Sequence, residues 1–146
     1  MDKRTESPMN RPKYGNRKVE YKGITFDSAR ERDRYIFLCD AQEKGLITDL
    51  QLQPKYVLLP AVYELVEVQL KTKTKKVSRC VQRPVEYRGD FEYVRTSDGA
   101  QVVEDVKISP KLLPKEFVLK EKMFFFFKGF RIRKVYKPTE EIDKKL

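Results

Sequence analysis

Two neighbouring segments, residues 84–95 and 101–107, restrict the fold of this chain more than any other part of it. Both alternate apolar with polar side chains, which is the pattern of β-strands that have two different faces. The Asp98-Gly99 dipeptide between them is a strong signal for a tight hairpin turn. The sequence therefore predicts an antiparallel pair of strands here.

Helices are predicted on either side of this hairpin. An S-x-x-E capping box that begins at Ser28 starts a helix over 28–44, and Pro114 precedes a second helix over 115–128 that ends near Gly129. Further strands are expected at 19–26, 46–59 with a break at Pro54, 61–70, 77–82 and 130–136. This order predicts a layered α/β (α+β) fold with a mixed β-sheet flanked by helices.

The length of 146 residues fits one domain with a substantial hydrophobic core. Residues 1–18 are polar and basic without any periodicity, and we expect a flexible basic arm there. The folded domain is expected over 19–137, and a charged tail over 138–146.

The balance of charges indicates a polyanionic partner. Lysine and arginine number 32 against 22 acidic residues, which gives a formal net charge of +10. Such a surface attracts nucleic acid of any sequence through counterion release, and an anionic membrane surface ranks second. No apolar run is long enough for a membrane helix, and the first residues contain no apolar signal segment, so we expect no membrane insertion or secretion.

The absence of histidine excludes several chemistries. Ser-His-Asp and Cys-His nucleophiles and histidine-type zinc sites are ruled out. Cys39 and Cys80 alone make neither a disulfide framework nor a structural zinc site, which indicates an intracellular protein with reduced thiols. Any proton transfer must use carboxylates, lysine, tyrosine or metal-activated water.

The predicted hairpin collects three charged side chains that suit phosphodiester hydrolysis. Asp105 and Lys107 share one face of their strand, whereas Glu104 faces the other way and is expected to pair with a basic residue. A bend at Gly89 can bring the Asp90 carboxylate beside Asp105. Two carboxylates suit Mg²⁺, which also accepts phosphate oxygens, and a nearby lysine can bind the attacking water or the phosphate. The alternatives are a solvated strand face and an ordinary turn residue.

Asp90 followed by a D-x-K triplet that starts at Asp105 resembles the motif of PD-(D/E)XK nucleases. Over 14–135 the chain also resembles a phage-encoded family of uncharacterised proteins, on the stretches KYGNRKVEYKGITFDSARERDRY, LQLQPKY and VVEDVK. By layout it is similar to phage junction-resolving endonucleases and to a transposon-end-cleaving endonuclease.

The resemblance implies a restriction-endonuclease-like core, magnesium or manganese as cofactor, and DNA, including branched DNA such as a Holliday junction, as substrate. It implies catalytic roles for Asp90, Asp105, Lys107 and Glu31, and metal ligation by the three carboxylates among them. Glu31 can also be explained as the last residue of the capping box. The sequence departs from the motif at Gly89, where the motif's name has a proline.

A run of basic residues over 71–83 is predicted to form a hairpin tip that grips DNA phosphates, with a merely solvated tip as the alternative. Gln51 and Gln53 can contact the site or DNA, or can simply be polar edge residues. Residues 124–127, four phenylalanines, are expected in the core rather than as a base-stacking platform. The predicted DNA-binding side chains are Lys71, Lys73, Lys75, Lys76, Arg79 and Gln53.

Three functions stay open. The first is a metal-dependent DNA endonuclease that resolves junctions or nicks DNA in phage recombination or replication. The others are a non-catalytic nucleic-acid-binding module and an adaptor in a phage replication or packaging complex. Intact Asp90, Asp105 and Lys107 favour the enzyme, because a degenerate nuclease would commonly have lost one of them. A homodimer would suit the enzyme, since paired cuts in two strands need two sites.

Overall fold

The computed structural model describes residues 17–143, which form two α-helices, a short 3-10 turn and ten β-strands. Helix α1 spans Ala29–Glu43, the 3-10 turn spans Pro110–Leu112, and α2 spans Lys115–Lys128. The strands are β1 Val19–Tyr21, β2 Ile24–Phe26, β3 Ile47–Leu52, β4 Lys55–Leu59, β5 Val62–Gln69, β6 Thr74–Gln82, β7 Val85–Arg88, β8 Phe91–Arg95, β9 Gln101–Val106 and β10 Arg133–Val135.

A four-stranded mixed sheet in the order β10-β9-β8-β3 lies at the centre of the fold. Strand β9 is antiparallel to β8 and parallel to β10, and α2 lies in the connection that parallel neighbours require. Three antiparallel pairs accompany this sheet, namely β1-β2, β4-β7 and β5-β6. The predicted α+β architecture with a mixed sheet is confirmed, although the strands divide among several small sheets.

Two groups of buried side chains cover the opposite faces of β9. Val102 packs with Leu38 of α1, whereas Val103 packs with Phe124 of α2. Because successive side chains of a strand point to opposite faces, Glu104 continues the α1 side and Asp105 the α2 side. The predicted alternation along this strand is confirmed, and it makes β9 a central strand covered on both sides.

The local signals for the helices are confirmed. The Ser28 side chain accepts a hydrogen bond from the Glu31 backbone N–H at 3.2 Å, as an N-cap should. Helix α2 ends at Gly129, whose φ of +81° lies in the left-handed region that favours glycine. Both helices fall within one residue of their predicted bounds.

The prediction of one continuous strand over 84–95 is wrong, whereas the predicted bend at Gly89 is confirmed. The chain changes sheets there, so that β7 pairs with β4 while β8 pairs with β9. A Cβ at Gly89 would lie 3.0 Å from the Val103 Cγ1 atom, so the Val103 side chain would have to shift by a few tenths of an ångström to admit it. Glycine therefore permits the close approach at the point where the chain passes from one sheet to the next. The predicted strand 130–136 is also shorter than expected, since only 133–135 pairs.

A buried ionic network supports the α1 side of β9. Glu104 accepts hydrogen bonds from the Arg34 Nε and Nη2 atoms at 2.8 and 2.6 Å and from the Tyr93 hydroxyl at 2.6 Å. Arg34 and Glu104 are both fully buried. The expectation that Glu104 pairs with a basic residue is confirmed, and the pair connects α1 to β9.

The same network holds the segment after β10. Arg34 Nη1 donates to the Pro138 and Glu140 carbonyls at 3.0 and 2.5 Å, and Arg133 Nη1 donates to the Ile142 carbonyl at 2.7 Å. The Ile142 side chain is buried in the core on the α1 side. The predicted tail over 138–146 therefore packs on the domain as far as it is described.

The predicted arm over 1–18 lies outside the described residues except for its last two positions. Within 17–143, no helix has the length and apolar character that crossing a membrane requires. Cys39 and Cys80 are both free thiols.

Candidate functional site

The bend at Gly89 brings the Asp90 carboxylate to β9, the strand that carries Asp105. Phe91 of β8 pairs with Glu104 of β9, and Asp90 immediately precedes this pair. The Asp90 N–H donates to the Glu104 carbonyl at 2.9 Å, and the Asp90 Oδ2 atom accepts from the Val106 N–H at 2.7 Å. Backbone hydrogen bonds thus fix the Asp90 carboxylate at the end of β9.

Asp105 is held from two sides by protein groups. It is only 6% exposed. Its Oδ2 atom accepts a hydrogen bond from the Tyr87 hydroxyl at 2.8 Å, and its Oδ1 atom lies 2.9 Å from the Lys107 ammonium. Burial and the neighbouring Asp105 carboxylate raise the pKa of Tyr87, so the hydroxyl stays protonated and donates. The predicted shared face of Asp105 and Lys107 is confirmed.

Lys107 is oriented by an aromatic ring as well as by Asp105. Its Nζ atom lies 4.0 Å from the centre of the Phe117 ring on α2, within the range of a cation–π contact. The side chain is 21% exposed, so the ammonium reaches the surface while its partners are buried. A substrate phosphate could therefore reach it.

Negative charge accumulates around Asp90. Burial raises the pKa of Asp90 to about 8, and the nearby carboxylates of Asp105 and Glu31 add to this shift. Burial also raises the pKa of Glu31, with further contributions from Asp27 and Asp105. Mutual repulsion in a poorly solvated site is the situation that a bound cation relieves.

Glu31 lies beside the two aspartates without completing one cluster with them. It lines a cavity of about 160 Å³ together with Asp90 and another of about 500 Å³ together with Lys107. Among residues 17–143, no three carboxylate or thiol side chains group closely enough to hold one metal ion. Asp90 lies close enough to Asp105 and Glu31 for both carboxylates to raise its pKa. Glu31 lines two cavities, and its backbone N–H donates to the capping Ser28 side chain.

A third cavity, of about 430 Å³, opens on the α2 side of Asp105 and Lys107. Its other lining cations are Lys55, Arg88 and Lys120. These residues and Tyr87 were not predicted to lie at the site, because the sequence predicted β7 and β8 as one strand. Once the break at Gly89 is known, alternation along β7 turns Tyr87 inward.

The predicted DNA-binding lysines lie on a separate two-stranded ribbon, β5-β6, that pairs with no other strand of the described chain. All of the predicted basic side chains on it are exposed. Strand β6 begins at Thr74, so part of the predicted tip belongs to a strand. Across the ribbon Lys76 faces Glu67 and Arg79 faces Glu64, so acidic residues accompany the basic run on its partner strand. None of these side chains lines the three cavities described above.

Gln53, the remaining predicted DNA-binding residue, does lie at the site. Its N–H donates to the Asp90 carbonyl at 2.9 Å, and it lines the cavity of Asp90 and Glu31. Its φ of +49° is unusual for a residue other than glycine. This left-handed backbone conformation lies beside the Asp90 and Glu31 carboxylates in that cavity.

The fold and the site define an α+β protein with two neighbouring carboxylates and a lysine near the point where the chain passes from one sheet to the next. Residues 11–138 match the family described as Protein of unknown function (DUF1064), and the chain belongs to that family. No curated protein and no solved structure gives a match to this chain.

Proposed function

We propose that the protein is a metal-dependent nuclease that hydrolyses phosphodiester bonds in DNA at Asp90, Asp105 and Lys107. The observation that carries the proposal is the Asp90 carboxylate held by the Val106 N–H, next in sequence to Asp105, with the Lys107 ammonium 2.9 Å from the Asp105 carboxylate. Two neighbouring carboxylates and a reachable ammonium form the set that phosphodiester hydrolysis needs. The net charge of +10 supports a nucleic-acid substrate.

The donor set fits magnesium or manganese. Magnesium is commonly bound by one or two carboxylates together with substrate phosphates, and Asp90 and Asp105 would supply those carboxylates. Such an ion would neutralise charge on the phosphate under attack. The raised pKa of Asp90 supports this assignment, because the metal-free site concentrates negative charge that a cation would offset.

The protein's own groups have distinct tasks in this proposal. Lys107 binds the scissile phosphate or orients the attacking water, and Phe117 restricts its position. The Tyr87 hydroxyl fixes the rotamer of Asp105 through its 2.8 Å hydrogen bond. Glu31 lines the adjacent cavity, where its carboxylate would accept a proton from water, and burial raises its pKa above that of an ordinary glutamate.

The test is cleavage of supercoiled plasmid and of a four-way junction with Mg²⁺, Mn²⁺ or EDTA. Asp105→Asn and Lys107→Ala should each lower cleavage by roughly a hundredfold or more. Asp98→Asn is the matched control, because Asp98 is an exposed carboxylate in the turn of the same hairpin. Equal cleavage by wild type and Asp105→Asn would refute the site.

A non-catalytic nucleic-acid-binding module is the second candidate, and one observation favours it. Both oxygens of Asp105 already have protein partners, Tyr87 and Lys107, so the carboxylate is satisfied without a metal. A protein of this kind would serve as an adaptor in a phage replication or packaging complex. Tight DNA binding without cleavage under all three ionic conditions would decide for this candidate.

A further inference from the structure

The second half of α2 exposes aromatic side chains that the fold does not use. Phe124 is fully buried, but Phe125, Phe126 and Phe127 are 41%, 80% and 49% exposed. The prediction that all four lie in the core is wrong, because consecutive helical residues point in directions about 100° apart. Phe126 and Phe127 form an edge-to-face pair with ring centres 5.1 Å apart.

One ring of this pair, Phe127, lies on the same face of the helix as a residue of the candidate site. Lys120 lines the cavity that contains Asp105 and Lys107. Phe127 follows Lys120 by seven residues, which is two helical turns, so both lie on the same face roughly 10 Å apart along the axis. A chain that leaves the cavity beside Lys120 would meet Phe127 next.

The charges around this face attract an anion. Both acidic residues of α2 are engaged, since Glu116 pairs with Lys120 and Glu121 pairs with Lys134. Lys122, one helical turn before Phe126, is exposed and forms no ion pair with any residue of 17–143. Exposed aromatic rings beside a free cation are the combination that binds unpaired bases together with their phosphates.

We propose that the face of α2 from Lys120 to Phe127 binds single-stranded DNA, with a base stacked on the Phe126 and Phe127 pair. The site at Asp105 would then act on substrates that have an unpaired arm, such as forks and flaps. The direction of the strand toward Asp105 rests on the proposed nuclease function, whereas the binding surface itself does not.

The experiment measures fluorescence anisotropy of a labelled oligothymidylate and of a blunt duplex of equal length, with the full chain in EDTA. Phe126→Ala and Phe127→Ala should each weaken binding of the single strand by roughly tenfold or more, and should leave duplex binding nearly unchanged. Phe127→Trp should retain the affinity, because it keeps a stacking surface. Unfolding curves establish that each variant is folded. If Phe127→Ala does not fold, Phe126→Ala tests the surface, because Phe126 is the more exposed residue.

Phe125→Ala is the matched control. Phe125 is on the same helix and is similarly exposed, but it lies on the far side from Phe127 and its ring is covered by the Arg131 guanidinium at 4.1 Å. Its replacement should leave single-strand binding unchanged.

Three results would overturn the proposal. They are unchanged single-strand affinity of the Phe126 and Phe127 variants, an equal loss of duplex affinity, and conversion of a dimer to a monomer in light scattering without an effect on DNA. The last would assign the face to self-association. Because binding is measured without metal, a wild-type protein that binds the single strand but cuts nothing would refute the nuclease and leave this surface standing.

Discussion

Replacing Asp90 by asparagine should stabilise the metal-free protein, by an amount that increases with pH. The folded state raises the pKa of Asp90 from 3.8 to about 8. The folded protein therefore holds this proton more tightly than the unfolded chain does, and its stability falls as pH rises between those two values. Asparagine carries no charge to bury, and it can still accept the hydrogen bond from Val106 N–H.

The size of the effect follows from the pKa. Each unit between 3.8 and the working pH, up to about 8, corresponds to about 1.4 kcal/mol. The upper limit of the gain is then about 4 kcal/mol at pH 7 and about 2 kcal/mol at pH 5. Above pH 8 the gain should level off.

The assay is urea denaturation in EDTA at pH 5, 6, 7, 8 and 9, which yields the free energy of unfolding of each protein. Asp98→Asn is a control of opposite sign, because the Arg95 side chain lowers the pKa of Asp98 to about 2. That variant should be the less stable one, with a difference that stays constant across this pH range. A gain for Asp90→Asn that is absent at pH 8, or equal at pH 5 and pH 8, would refute the reasoning.

Three further perturbations test other parts of the structure. Glu104→Gln leaves the Arg34 guanidinium buried beside a neutral partner, and it should lower the free energy of unfolding by roughly 3–5 kcal/mol in denaturant titrations. Gly89→Ala introduces a methyl group 3.0 Å from Val103 Cγ1, and thermal unfolding should show a loss of roughly 1–3 kcal/mol; an unchanged midpoint would contradict the need for glycine. Neutralising the ribbon lysines should weaken DNA binding for all sequences. It should also reduce the slope of log affinity against log salt by about 0.9 for each lost phosphate contact. An unchanged slope would show that the ribbon is a solvated hairpin that does not contact DNA. The substituted lysines are Lys71, Lys73, Lys75 and Lys76.

The sequence predicted the elements whose signals are local. The capping serine and the glycine after α2 set the helix ends, and alternation set the two faces of β9 correctly, with Asp105 and Glu104 on opposite sides. These features depend on neighbours only a few residues away.

The features that the sequence did not predict depend on distant contacts. At Gly89 the chain passes from the β4–β7 pair to the four-stranded sheet, and the hydrogen bond from Tyr87 to Asp105 became visible only with that exchange. The exposure of Phe126 could not be read from composition, because a run of phenylalanines normally indicates a core. No local sequence signal shows which of the four phenylalanines faces the core.

The carbonyl groups of the segment after β10 have a consequence for how the chain can be shortened. Arg34 and Arg133 are buried. The carbonyl oxygens of Pro138, Glu140 and Ile142 accept hydrogen bonds from guanidinium N–H groups that Glu104 does not bind. A protein cut after residue 137 would leave these protons without acceptors and would uncover the core where Ile142 sits. The carbonyl groups of this segment thus solvate two buried cations in place of water, and a shortened chain would have to admit water to the same position.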